Sequence, residues 1–179
     1  MIRRLLVSFA ICAVAATGLA IAEDVAEVKA PEALAPFKRA LKQALGEGMS
    51  QGPVQAVGAC NLEAPGIAAA HSQQGTKVGR ASHRLRNPAN APPDWVKPIL
   101  DAYLEDASDR APRATTLPGG ASGYVEPILV QPLCLTCHGK AIAPDVAARI
   151  AELYPDDAAV GLDEGELRGV WWVETPAAN

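Results

Sequence analysis

Residues 123–138 read Gly-Tyr-Val-Glu-Pro-Ile-Leu-Val-Gln-Pro-Leu-Cys-Leu-Thr-Cys-His. Gly123-Tyr124-Val125 and Ile128-Leu129-Val130 have the aromatic and β-branched content of sheet segments, with Pro127 as an interruption because it cannot donate a ladder hydrogen bond. They deliver the chain directly to Cys134. Beyond the cysteines, residues 146–153 carry a helical pattern, and Leu167-Arg168-Gly169-Val170-Trp171-Trp172-Val173 reads as a terminal strand. The expectation is a mixed α/β domain whose sheet includes residues 124–130 and 167–173. Alternation along the second strand places Trp171 and Trp172 on opposite faces, and predicts that one is buried and its neighbour much more exposed.

Upstream, Leu34, Phe37, Leu41 and Leu45 recur at spacings of three and four, which predicts an amphipathic helix with Pro36 in its first turn and Gly46 and Gly48 at its end. Gly52-Pro53 opens a second short helix, with Val54, Val57 and Cys60 on one inward face. Pro65 starts a third helix that Gly75 closes, and residues 76–81 suit a short strand. Residues 83–93, HRLRNPANAPP, specify a non-repetitive loop. Asp94 is placed to cap a helix whose apolar stripe is Trp95, Ile99, Leu100, Tyr103 and Leu104. Residues 117–123 read as a turn. The sequence has no internal repeat and no low-complexity segment.

The full chain has 179 residues, with 16 Lys+Arg against 20 Asp+Glu and a net charge of −4. That balance leaves no basic surface for following a phosphate backbone, so no nucleic-acid partner is expected. Hydrophobic residues make up 49% of the chain, enough for a core, while 15 Gly and 15 Pro argue against a plain helical bundle. Residues 1–22 combine Arg3 and Arg4, an apolar run over 5–19, and Ala20-Ile21-Ala22 ahead of Glu23. This is the pattern of a cleavable signal peptide, followed by one domain over residues 23–179. An apolar run of about 15 residues is shorter than the roughly 20 that span a bilayer, so no stable membrane span is expected after cleavage. The expected location is the periplasm. Three cysteines then remain, Cys60, Cys134 and Cys137, an odd number that simple disulfide pairing cannot absorb.

Cys134-Leu135-Thr136-Cys137-His138 is a C-x-x-C-H sequence, the attachment site of a c-type haem. Two intervening residues let both thiols reach the two vinyl groups of one porphyrin, and the adjoining histidine is carried under the iron as its proximal ligand. One such motif implies one covalent haem c, installed by haem maturation machinery. A zinc half-site would need a second Cys or His pair, and a thioredoxin-like pair would need its strand-to-helix context. For the other axial position the residue types offer four candidates: Met49, which lies upstream of the motif; His71; His83, in an Arg-rich polar loop; and the leftover thiol of Cys60. Arg80, Arg84 and Arg86 with Asn87 cluster in one polar loop, where they suit either haem propionates or simple solvation.

The chain resembles a family of single-haem c proteins with a PAS-like fold, a bacterial family that includes a photosystem-associated cyanobacterial member. The resemblance covers roughly residues 34–173. It rests on Ala56-Val57-Gly58-Ala59-Cys60 with Ala64-Pro65-Gly66-Ile67-Ala68, on Val78-Gly79-Arg80-Ala81-Ser82, and on Arg86-Asn87-Pro88-Ala89-Asn90-Ala91-Pro92 with Trp95. The haem motif with Gly139, residues 154–161 (YPDDAAVG) and residues 165–169 (GELRG) complete it. It implies an α+β fold with a PAS-like antiparallel sheet and flanking helices, iron ligation by Cys60 and His138, and covalent bonds to the haem from Cys134 and Cys137. His83, where the family tends to have an aliphatic residue, and the pair Trp171-Trp172 depart from its pattern.

A thiolate ligand donates charge to iron and lowers its reduction potential relative to methionine. Filled axial positions argue against peroxidase or oxygenase chemistry, and no paired carboxylates, activated nucleophile or Gly-rich phosphate loop suggests an enzyme of another kind. The expectation is a non-enzyme: a periplasmic monohaem cytochrome passing low-potential electrons to a redox partner protein the sequence does not name. A haem-based redox or gas sensor signalling to a separate protein is the alternative. A four-helix cytochrome with an open iron site is disfavoured by the Gly and Pro content and the terminal strand.

Overall fold

The structure is a computed structural model that describes residues 20–177; residues 1–19, most of the expected leader, lie outside the described residues. Three helices come first, α1 (Ala20–Ser50), α2 (Pro53–Leu62) and α3 (Ala64–His71), followed by strand β1 (Lys77–Ala81). After the proline-rich loop come α4 (Lys97–Glu105), β2 (Arg113–Thr116), β3 (Ser122–Leu129), the single-turn α5 (Leu135–His138), α6 (Pro144–Leu153) and β4 (Leu167–Thr175). The strands form one antiparallel sheet in the order β1-β4-β3-β2, an α+β arrangement with the last strand near its middle.

Helices cover both faces of that sheet. On one, Leu34, Phe37 and Leu41 of α1 pack with Val78, Tyr124 and Val173. On the other, Val96, Leu100 and Tyr103 pack with Val125 and Val170. A third cluster joins Val57 of α2 to Val146 and Ile150 of α6 and to Tyr154. Trp171 and Trp172 do face opposite ways: Trp171 meets Phe37 edge-on at 5.7 Å, and Trp172 meets Trp95 edge-on at 6.1 Å. The expected contrast in burial is absent. Both are partly buried, because neither face of the sheet is open to water.

Several local expectations are corrected. The first helix runs through Gly46 and Gly48 to Ser50 and holds Pro31 and Pro36 inside it. A Cβ at Gly48 would lie 2.8 Å from the Ala56 Cα, so this glycine lets α1 and α2 approach rather than ending the helix. Asp94 caps nothing; it lies in a turn, and α4 begins at Lys97 without a side-chain cap. Strand β3 continues through Pro127, which pairs with Val170 of β4. Its other neighbour, β2, reaches no further along β3 than Val125, so Pro127 sits where that edge is open and the missing N–H leaves no partner unpaired.

Between Ile128↔Gly169 and Leu129↔Leu167 the ladder shifts register, and Arg168 is the unmatched residue of the resulting bulge. Gly169 has φ +155°, and a Cβ there would lie 2.2 Å from the Ala81 carbonyl oxygen of β1. Gly169→Ala should therefore destabilise the folded protein by about 1–3 kcal/mol, the usual cost of forcing a methyl group into packed structure. Denaturant unfolding followed by far-ultraviolet circular dichroism measures this. A loss below about 0.5 kcal/mol, the scale of an ordinary surface substitution, would show that β1 and β4 separate freely at this point.

Candidate functional site

From β3 the chain passes through one tight turn, Pro132–Cys134, in which the Cys134 N–H donates to the Gln131 carbonyl at 2.9 Å. It then forms the single turn of α5. Gly139 ends that turn by donating to the Leu135 carbonyl at 3.0 Å, and a Cβ at this position would lie 2.6 Å from the same oxygen. So tight a path keeps Cys134, Cys137 and His138 together on the wall of one cavity of about 490 Å³. This volume falls within the roughly 300–1,000 Å³ of small-molecule sites. Residues of α1, α2, the sheet and α5 line it, and Leu41, Ala56, Ile128 and Leu129 supply apolar wall. Cys60, Arg80, Arg86, Asn87, Cys134, Cys137 and His138 all line this cavity, whereas Arg84 of the same arginine-rich loop is not among its lining residues. Met49 lines it too. His71 and His83 are not among its lining residues, and His71 packs instead near Phe37, with ring centres 6.2 Å apart.

The ring of His138 is set from behind. Its Nδ1 lies 2.6 Å from the Ala159 carbonyl oxygen, which can only accept, so Nδ1 carries the proton and Nε2 keeps its lone pair. Burial, reinforced by Arg168 and Arg86, pushes the imidazole down to about 3. The ring is therefore neutral, the form that binds metal, at any pH above strongly acid.

Ala159 is itself held by Asp157, whose Oδ1 accepts its N–H at 2.9 Å. Arg86 donates from Nε and Nη2 to the two oxygens of that carboxylate, at 3.2 and 3.0 Å, and from Nη2 to the Cys137 carbonyl at 2.6 Å. The pair is nearly enclosed, with side-chain exposures of 10% for Arg86 and 7% for Asp157. One guanidinium thus ties the motif to the loop that orients its histidine. Arg84 grips the same loop by donating to the carbonyls of Ala158 and Val160, and the Leu162 N–H closes it on the His138 carbonyl at 2.9 Å.

Cys60 arrives from α2. Burial pushes its thiol up, against the opposing pull of Arg80 and, less strongly, Arg86. It rests protonated, and would have to give up that proton to bind a metal as thiolate. Imidazole nitrogen, a soft thiol, two further thiols at C-x-x-C spacing and apolar walls together suit a haem.

A family model described as Tll0287-like, Tll0287, matches residues 13–176. The chain belongs to the Tll0287-like family. Among solved structures it is similar to the crystal structure of the cyanobacterial heme-protein Tll0287, at 27% identity and a TM-score of 0.61, covering 88% of this chain and 97% of that one. No curated protein matches it.

Sequence reasoning overlooked two parts of the site in this Tll0287-like chain. Asp157 reads as a turn residue in Tyr154-Pro155-Asp156-Asp157, a role it fills, but its pairing with Arg86 spans 71 positions and leaves no local signal. Arg168 lines the cavity from the β4 bulge, with Nη1 donating to Ser82 Oγ at 2.7 Å and to the Arg84 carbonyl at 3.3 Å. Burial first, then Arg86 and Arg80, lower it to about 10. Asn87 lines the cavity while its Oδ1 accepts the Ala89 N–H at 2.9 Å, fixing the turn at Pro88–Asn90.

Proposed function

We propose that this chain is an exported c-type haem protein with a PAS-like domain, one haem joined covalently to Cys134 and Cys137, and His138 and Cys60 as axial ligands. Its function is low-potential electron transfer with a partner protein in the periplasm, not catalysis. The observation that carries this reading is that all three motif residues and Cys60 line one cavity. Membership of a family with a cyanobacterial heme-protein among its similar structures supports it. Bound haem iron supplies one-electron exchange. The chain's own part is to keep His138 neutral and aimed, through Ala159 and Asp157, and to shield the centre with apolar wall.

The sensor reading draws on one feature: Cys60 sits in α2, which packs on α6 through Val57, Val146 and Ile150. Release of the Cys60 ligand would free α2 to shift against α6. The signal would pass to a separate protein.

Protein produced with a haem c maturation system should be red and should keep its haem through acid-acetone extraction and denaturing electrophoresis. The double variant Cys134→Ala, Cys137→Ala should lose all of that retention, since no thioether can form. Free extraction of haem from the unsubstituted protein would refute the covalent assignment.

A further inference from the structure

We infer that Arg80 and Arg168, rather than Arg86 and Asn87, form a two-cation seat for the two carboxylates of the haem, an assignment that rests on the haem reading above. Three guanidiniums line the cavity, and their pairings differ. Arg86 is neutralised by Asp157, with which it forms a bidentate bond. Arg80 has no hydrogen-bonding or carboxylate partner among the described residues; its guanidinium carbon lies 5.9 Å from the centre of the Trp171 ring. Arg168 uses Nη1 on the Ser82 hydroxyl and the Arg84 carbonyl, neither of them charged, and its Nε and Nη2 have no acceptor among the described residues.

Two partly buried positive charges with no carboxylate in contact are costly in a protein interior, and Asp157, the acid that acts on Arg168, is already held by Arg86. They are also close enough to repel, since Arg80 is among the groups that lower Arg168. The rest of the lining does not offset them. Lys38 of the lining is paired with Glu126, which is not among the lining residues, His138 is neutral, and Lys42, which also reaches the cavity, is exposed and solvated. The cavity therefore lacks two negative charges. A haem has two propionates, and a guanidinium edge is suited to bidentate binding of a carboxylate. The fold explains why both arginines reach one place. Arg80 lies opposite Trp171 in the β1–β4 ladder, and the bulge gives Arg168 a position outside the regular alternation of β4.

The test uses the haem-loaded protein with Arg80→Gln, Arg168→Gln, Arg80→Lys, Arg168→Lys and, as a control, Lys42→Gln. Spectroelectrochemistry reads the reduction equilibrium, and resonance Raman reads the propionate bending band. Removing either cation should displace the equilibrium about tenfold towards the ferric form, 59 mV for one electron, and shift the propionate band. The lysine variants should restore most of the equilibrium, because they restore the charge, but not the band, because a point charge cannot reproduce a bidentate fork. Lys42→Gln should leave the band in place. An unchanged band in both glutamine variants, or in both lysine variants where a glutamine variant fails to fold, overturns the seat. Loss of the haem reading itself would look different: haem would then be extractable from the unsubstituted protein, before any arginine is changed.

Discussion

Haem-loaded protein carrying Cys60→Ser should lose the thiolate signature of its ferric spectrum, gain reduction potential, and bind carbon monoxide once reduced. Serine keeps the size of the side chain but is a poor ligand for iron, so with Cys60 as the proposed ligand the substitution would remove a donated negative charge and open one coordination position. A rise on the order of 0.1 V is expected, a fraction of the roughly 0.8 V over which axial ligands set haem potentials. His71→Ala is the comparison variant. His71 lies near Phe37 and is not among the cavity-lining residues, so its loss should leave the spectrum as it was. A spectrum indifferent to Cys60→Ser and altered by His71→Ala would replace the assignment with bis-histidine ligation. Carbon monoxide binding to the unsubstituted reduced protein would favour the sensor over the carrier, because Cys60 would then be a ligand that reduction releases.

Asp157→Asn should cost about 3–5 kcal/mol of folding stability, the usual penalty for leaving one member of a buried ion pair alone. The side chain keeps its shape, but Arg86 loses its counter-charge, and Arg86 also holds the Cys137 carbonyl. Denaturant unfolding of the haem-loaded protein checks the magnitude. The same variant should loosen the Ala159 carbonyl on which the Nδ1 proton of His138 rests, broadening the spectrum of the iron. A loss under about 1 kcal/mol would place the pair with exposed ion pairs, contrary to its burial.

What the sequence made legible was whatever had a short period or a fixed spacing. Leu34, Phe37 and Leu41 announce a helix face, residues 167–173 announce a strand, and C-x-x-C-H announces its chemistry in five letters. Strand β2 was invisible because Arg-Ala-Thr-Thr has no apolar alternation; it is specified by pairing with β3 rather than by its own side chains. Gly48 was misread for a related reason, since a glycine that admits a neighbouring helix looks the same in sequence as one that stops its own. The Arg86–Asp157 tie and the position of Arg168 depend on contacts across 71 and 86 positions, which only the folded chain brings together.

The order of the strands has a consequence for how such a protein is made. Strand β4 lies between β1 and β3 yet follows both in the chain, and β1 has no other partner in the sheet; Lys77 waits for Glu174. Until residues beyond 167 are available, the first strand and the segment leading to Cys134 share no ladder, and the pocket has no floor. Pairings so distant in sequence form late and slowly. Under the covalent-haem proposal, Cys134 and Cys137 would stay on open chain during that interval, within reach of an enzyme that handles both thiols and a porphyrin at once. Completion of the sheet would then shut the product in, so the topology would act as a timer that separates attachment from enclosure.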